Sequence, residues 1–179
     1  MLKRVGFIFF ALFSCYMGMI ESQKWKHLTN ELEVNVAASK VWELYRYLGI
    51  SKLAAQELKN MIQSVDVLKG DGGVGTIIKF TFVPGNSSYT EKFSVIDDLK
   101  RVKVTKGLEG GCLAMGCSVE IVGFDIIERT HNSCIIKSDI AYAVKKEFKA
   151  NNPKPDIQLL ADFAQVAKRV LETQHGHGV

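Results

Sequence analysis

The chain predicts an α+β domain in which a curved, seven-stranded antiparallel sheet wraps around one long C-terminal helix. Three observations lead there. Six strand-like runs follow one another between residues 63 and 144 with only short turns between them. Strands spaced so closely run antiparallel, because a parallel crossover needs about a dozen residues or more. A long amphipathic stretch then closes the chain, and its apolar stripe needs a surface to cover.

From Leu28 to Val36 the residues alternate, with Leu28, Leu32, Val34 and Val36 on one parity and Asn30 as the exception. This is the pattern of a half-buried strand. "AASKVWELYRYL" follows, with Val41, Leu44, Tyr45 and Leu48 at helical spacing and Ser39 placed as the N-cap. After the break at Gly49, "KLAAQELKNM" predicts a second short helix. Strands are expected at 63–69, 76–83, 89–97, 101–108, 118–127 and 133–144. Beyond "NNPKP" a helix runs from Asp156 to about Thr173, with Ile157, Leu160, Ala161, Ala164 and Leu171 on one stripe and Phe163 and Val170 flanking it. The sheet and this helix are expected to enclose a cavity. Ile78, Phe80, Phe82, Phe93, Val122 and Phe124 have the parity to line it.

The 179 residues suit one domain, placed at 23–179, and 47% apolar with 23% charged residues is a globular composition. The net charge of +4 comes from scattered basic residues without interleaved aromatics, so nucleic acid is not an expected partner. Residues 1–22 stand apart: Lys3 and Arg4 precede "VGFIFFALFSCYMGMI", the layout of a secretory signal. The run is short for a membrane span, which wants roughly 20 apolar residues, although an uncleaved anchor is the alternative. A chain that enters the secretory pathway would expose the sequon "Asn86-Ser87-Ser88", in an expected turn, to N-glycosylation. Cys112, Cys117 and Cys134 remain after the leader. They form no Cys-x-x-Cys, so neither a disulfide framework nor a metal site is indicated, and no cofactor is expected. His175 and His177 read as a fortuitous pair in a Gly-rich tail.

"KGDGGVGTIIKF" holds Gly70, Gly72, Gly73 and Gly75 in the spacing of a dinucleotide fingerprint. That fingerprint requires a helix after the last glycine, to face the pyrophosphate. Here a strand follows, with Ile78, Phe80 and Phe82 alternating against Lys79 and Thr81. The loop is therefore a hairpin connection whose glycines supply positive φ and close approach.

Glu91 is anomalous by residue pattern alone. Tyr89, Phe93 and Val95 share its parity, so a carboxylate stands among apolar neighbours, where its pKa should rise. A glutamate reaching solvent past the rim is the alternative. Lys103 lies between Val102 and Val104, and periodicity turns it toward solvent.

"GDGGVGT" between strands, after strand–helix–helix and before a closing helix, resembles the birch-pollen-allergen, or pathogenesis-related class-ten, family over about residues 28–174. "ELEVNVAASKVWELY", "GDGGVGTIIKFTFVPG", "YTEKFSVID", "LEGGCLAMG" and "NSCIIKS" are similar to its norcoclaurine-synthase subgroup. "FDIIERTHNSCIIKS" also resembles the norbelladine synthases. The resemblance implies a helix-grip fold acting as a monomer or weak homodimer. It also implies Pictet–Spengler condensation of an aromatic amine, dopamine, with an aldehyde, 4-hydroxyphenylacetaldehyde. By the same resemblance Glu91 removes the ring proton, Tyr89 orients the iminium, and Lys103 faces inward and transfers protons. The family's aspartate falls on Val122. Asp125 lies on the opposite face, but Glu120 shares the parity of Val122, and is either a relocated acid or a sign of a changed substrate. Norbelladine synthases, which also lack that aspartate, stop at an imine. A carrier that binds a hormone, flavonoid or alkaloid without transforming it is the alternative from another class.

Overall fold

The computed structural model describes residues 24–176, so the expected leader and the His175 and His177 side chains lie outside the described residues. In chain order the elements are β1 (Trp25–Val34), α1 (Ala38–Tyr45), α2 (Gly49–Glu57), β2 (Ile62–Lys69), β3 (Ile77–Phe82), β4 (Ser87–Asp97), β5 (Val102–Gly110), α3 (Gly111–Met115), β6 (Cys117–Thr130), β7 (Ser133–Val144), a 3-10 turn (Lys146–Asn151) and α4 (Gln158–Gly176). The strands form one antiparallel sheet in the order β1-β7-β6-β5-β4-β3-β2. From β2 to β7 each strand pairs with the next, and β1 pairs with β7 instead. Helices α1 and α2 therefore carry the chain from one edge of the sheet to the other.

The concave face and α4 share one core. Leu160, Phe163, Ala164 and Ala167 are its buried α4 residues, and Ile157 and Leu171 pack at its margin. Ala161 and Val170 are only half-buried, so the stripe is rotated about the helix axis toward Phe163 and Ala167. Helix α1 starts after Ala37 with no side-chain cap, which corrects Ser39 as the cap. Helix α2 starts at Gly49, three residues before the expected segment, and ends at Glu57. The short helix α3 was not expected, and it ends on Gly116, which takes the left-handed conformation at φ 112°.

Two findings correct the strand and cysteine readings. Cys112 and Cys117, with Cα atoms 5.3 Å apart, form a disulfide across α3. A bulge between β4 and β5 pairs Phe93 with Thr105 but Val95 with Val104, leaving Ser94 extra. Beyond it the faces exchange: Ile96 packs on the main core, and Val95 leaves the face of Glu91 and Phe93.

The glycine loop packs as a structural connection. The Gly75 amide donates to the Phe93 carbonyl at 2.8 Å, Gly72 to Thr76 Oγ1 at 2.9 Å, and Gly73 to Asp71 Oδ1 at 3.2 Å. With those amides engaged inside the protein, the loop does not offer the open nest that an anion needs. Gly70 has φ +87°, and a Cβ there would lie 2.8 Å from the Thr76 Cα. Gly70→Ala is expected to lower stability by more than about 1 kcal/mol, through backbone strain and this backbone contact. Urea unfolding followed by circular dichroism measures it, and a wild-type midpoint would contradict the assignment.

Candidate active site

Lys103 lies in the middle of β5 and is 1% exposed, so the solvent-facing reading from periodicity is wrong. The alternation misled because the convex face is partly apolar too. Val104 packs there with Trp25 against Val119, Ile121, Ala141 and Ala143. Two valines flanking a lysine therefore did not mark the inward side. The Lys103 ammonium donates to the Tyr47 carbonyl at 2.6 Å and to the Tyr45 carbonyl at 3.3 Å. These carbonyls lie at the C-terminal end of α1, where the helix dipole favours a cation. The ammonium also sits 3.6 Å from the centroid of the Phe93 ring. Burial lowers its pKa to about 8, against the opposing pull of the Glu91 charge. Such an amine exchanges protons near neutrality.

Glu91, on β4, faces the same interior and is 7% exposed, as its parity predicts. Thr105 Oγ1 donates to its Oε2 at 2.6 Å. Burial raises the Glu91 pKa, while this hydrogen bond and the Lys103 charge oppose the rise. Tyr89, one pleat away, has its hydroxyl buried without a hydrogen-bond partner among the described residues. Burial, then the charges of Glu91 and Glu120, push that hydroxyl well above the ordinary tyrosine range. It remains a neutral donor, held where an acceptor on a bound molecule would meet it.

The cavity has two chambers. The outer holds about 460 Å³, within the roughly 300–1,000 Å³ usual for small-molecule sites. The inner holds only about 40 Å³, with Glu91 and Lys103 in its wall. Tyr89, Val122, Leu159 and Leu160 line both. Of the residues expected to line one cavity, Phe82 borders the outer chamber and Phe80 and Phe124 the inner. Ile78 and Phe93 line neither; both are fully buried in the core. Lys103 covers the Phe93 ring, with its ammonium over the ring face.

Glu120 is in the outer wall, 5% exposed, on the same face as Val122. The Cys112 amide donates to its Oε2 at 2.9 Å. Gly107 leaves space there, since a Cβ would lie 3.1 Å from the Tyr89 hydroxyl and 3.4 Å from Glu120 Cβ. Burial raises the Glu120 pKa to about 7; the Cys112 bond opposes this and the Glu91 charge adds to it. Asp125 is on the other face, coupled to Lys137 and Asp139. Sequence reasoning missed Thr105, whose shared parity with Lys103 was the available signal. It also missed the disulfide beside Glu120, for which a spacing of five residues gives no signal. Asn86 is exposed in the turn between β3 and β4. Among the described residues, no group of three His, Cys, Asp or Glu side chains is placed to hold a metal ion.

Residues 24–173 match the pathogenesis-related protein Bet v 1 family, and the chain belongs to that family. It is 40% identical to a norbelladine synthase of Narcissus pseudonarcissus over 69% of this chain and 78% of that protein. It is also 40% identical to S-norcoclaurine synthase 2 of Papaver somniferum, again over 69% of this chain, but spans about half, 54%, of that relative's length. Among solved structures, norcoclaurine synthase from Thalictrum flavum in complex with dopamine and hydroxybenzaldehyde superposes with a TM-score of 0.75. That match is 34% identical and covers 85% of this chain and 89% of the other.

The Glu120 shift has a sign that can be measured. Its folded-state pKa lies above the ordinary 4.5, so the native state binds the extra proton between pH 4.5 and about 7. Its contribution is complete below pH 4.5 and is lost as pH rises through about 7. Wild type should therefore lose stability relative to Glu120→Gln across that window, by up to about 3 kcal/mol. Parallel urea melts at pH 5 and pH 8 check this, and a pH-independent difference would contradict it.

Proposed function

We propose that the chain condenses an aromatic amine with an aromatic aldehyde, as a norcoclaurine synthase-like Pictet–Spengler enzyme joining dopamine and 4-hydroxyphenylacetaldehyde to (S)-norcoclaurine. The observation that carries this reading is the buried pair of Lys103 and Glu91 in the wall of the inner chamber of the cavity. Loss of water from the first adduct needs a proton donor, and Lys103 at a pKa of about 8 supplies one near neutrality. Ring attack on the iminium forms the carbon–carbon bond, and a base must then take the ring proton. Glu91 is that base, with Thr105 holding one of its oxygens. The Tyr89 hydroxyl donates to a substrate oxygen, and the apolar walls keep water from competing. The kinship to norcoclaurine and norbelladine synthases supports the same chemistry.

Val122 favours a second reading, in which the enzyme stops at the imine, the outcome that the resemblance to norbelladine synthases implies. The two readings separate by product. Purified protein with both substrates should give chiral tetrahydroisoquinoline under the first and only reducible imine under the second. Neither product would leave a carrier.

Lys103→Met should lower turnover by about 10²-fold or more while the chain still folds. Alanine is a poorer test than methionine, since emptying a fully buried site costs about 2–5 kcal/mol on its own. Wild-type rates in the methionine variant would make Lys103 a purely structural cap on α1. Glu120→Gln should reduce activity, and Val122→Asp should raise cyclised product relative to imine trapped by reduction. If neither moves that ratio, Glu91 is the sole carboxylate of the reaction.

A further inference from the structure

The two chambers differ in charge. Residues lining the outer chamber include two carboxyls, Glu120 and Asp156, and no lysine, arginine or histidine. Among the described residues, the only cation in either wall, Lys103, belongs to the inner chamber. Asp156 is at the exposed mouth, where its Oδ1 already accepts the Gln158 amide at 2.9 Å. Glu120 is the carboxyl inside, with one oxygen fixed by Cys112 and the Tyr89 ring beside it. The remaining outer wall is mostly apolar, with Met61, Phe82, Ile140 and Leu159 among its residues.

We propose that the outer chamber is a recognition site for hydrophobic ammonium ions, with the Glu120 carboxylate as the anchor of the charged nitrogen. A low-dielectric chamber strengthens the attraction of that carboxylate for a cation and disfavours an anion. The aromatic face of Tyr89 adds to it. The inner chamber is more than ten times smaller and admits the polar end of a ligand rather than its body. Amine and carbonyl are thus sorted by charge, the ammonium to Glu120 and the carbonyl oxygen to Lys103 and Tyr89.

The sorting into amine and carbonyl partners rests on the proposed condensation, and there it gives Glu120 a balanced proton cycle. The bound ammonium transfers one proton to the Glu120 carboxylate and becomes a nucleophilic amine. Its nitrogen attacks the aldehyde carbon, and the nitrogen proton moves to the carbonyl oxygen to give a neutral carbinolamine. The Lys103 ammonium gives a proton to that hydroxyl, the carbon–oxygen bond breaks and water departs, and the proton held by Glu120 then recharges Lys103. The iminium carries the positive charge that arrived with the ammonium. A carboxyl with a pKa of about 7 suits both transfers near neutrality.

The test uses a ligand that binds but cannot condense. N,N-Dimethylphenethylamine is a protonated tertiary amine at pH 8 and forms no iminium with an aldehyde, and isopentylbenzene is its neutral isostere. Calorimetric titration of the full chain at pH 8 should show the ammonium binding about tenfold or more tightly than the hydrocarbon. Glu120→Gln should abolish that preference while keeping hydrocarbon affinity, with thermal melting as the check on folding. If the glutamine variant does not fold, Glu120→Leu is the second arm. Equal affinities in wild type would overturn the proposal. A preference that survives loss of the carboxyl would also overturn it, placing the cation on Asp156 or Glu91. Binding with these properties but no turnover of dopamine would refute the condensation and leave the ammonium site standing.

Discussion

Burying the Lys103 ammonium is the constraint to which the surrounding structure answers. An isolated charge in an apolar interior is costly, and it persists only where hydrogen bonds and an opposite charge offset its lost hydration. Here the offsets come from distant parts of the chain: the Tyr45 and Tyr47 carbonyls, the Phe93 ring and the Glu91 carboxyl. Helix α1 must therefore end above the middle of β5. Trp42 Nε1 fastens it there by donating to Asp98 Oδ1 at 2.8 Å. The glycine loop belongs to the same arrangement, because a Cβ at Gly72 would lie 3.3 Å from both Tyr47 and Leu48. Gly72 lets the loop close against the turn that holds the lysine.

The two buried carboxyls stand in different chambers. Glu91 shares the inner chamber with Lys103 and is held by Thr105, a geometry suited to taking a proton from a bound ring. Glu120 is held from another direction, by the amide of a disulfide-closed helical turn. Where the family places an aspartate on the wall common to both chambers, Val122 leaves that wall apolar. Glu120 stands one pleat along β6 from Val122, on the outer chamber's wall.

The fold and much of the site were legible in the residues. Ile78, Phe80 and Phe82 alternate cleanly because β3 has one buried face, and Glu91 stood out against that background. Parity also set Glu120 beside Val122 and Asp125 on the opposite face. Lys103 and Val95 were not legible this way. The first was obscured by a second apolar cluster on the convex face, which makes both parities of β5 look buried. The second was reversed by a bulge, a feature of strand pairing that one strand's pattern does not contain.

The amino-acid sequence by itself determined the order of elements, their antiparallel pairing and the parity of the candidate carboxylates, because these depend on local periodicity and short connections. The tertiary structure alone decided that Lys103 is capped by the end of α1 and that Cys112 pairs with Cys117. It also decided that the cavity has two chambers, with Tyr89, Val122, Leu159 and Leu160 in both walls, and that the small inner chamber holds the opposite charges. Each of these depends on residues far apart in the chain arriving at one place, which is set by how the sheet curves and where the helices close over it.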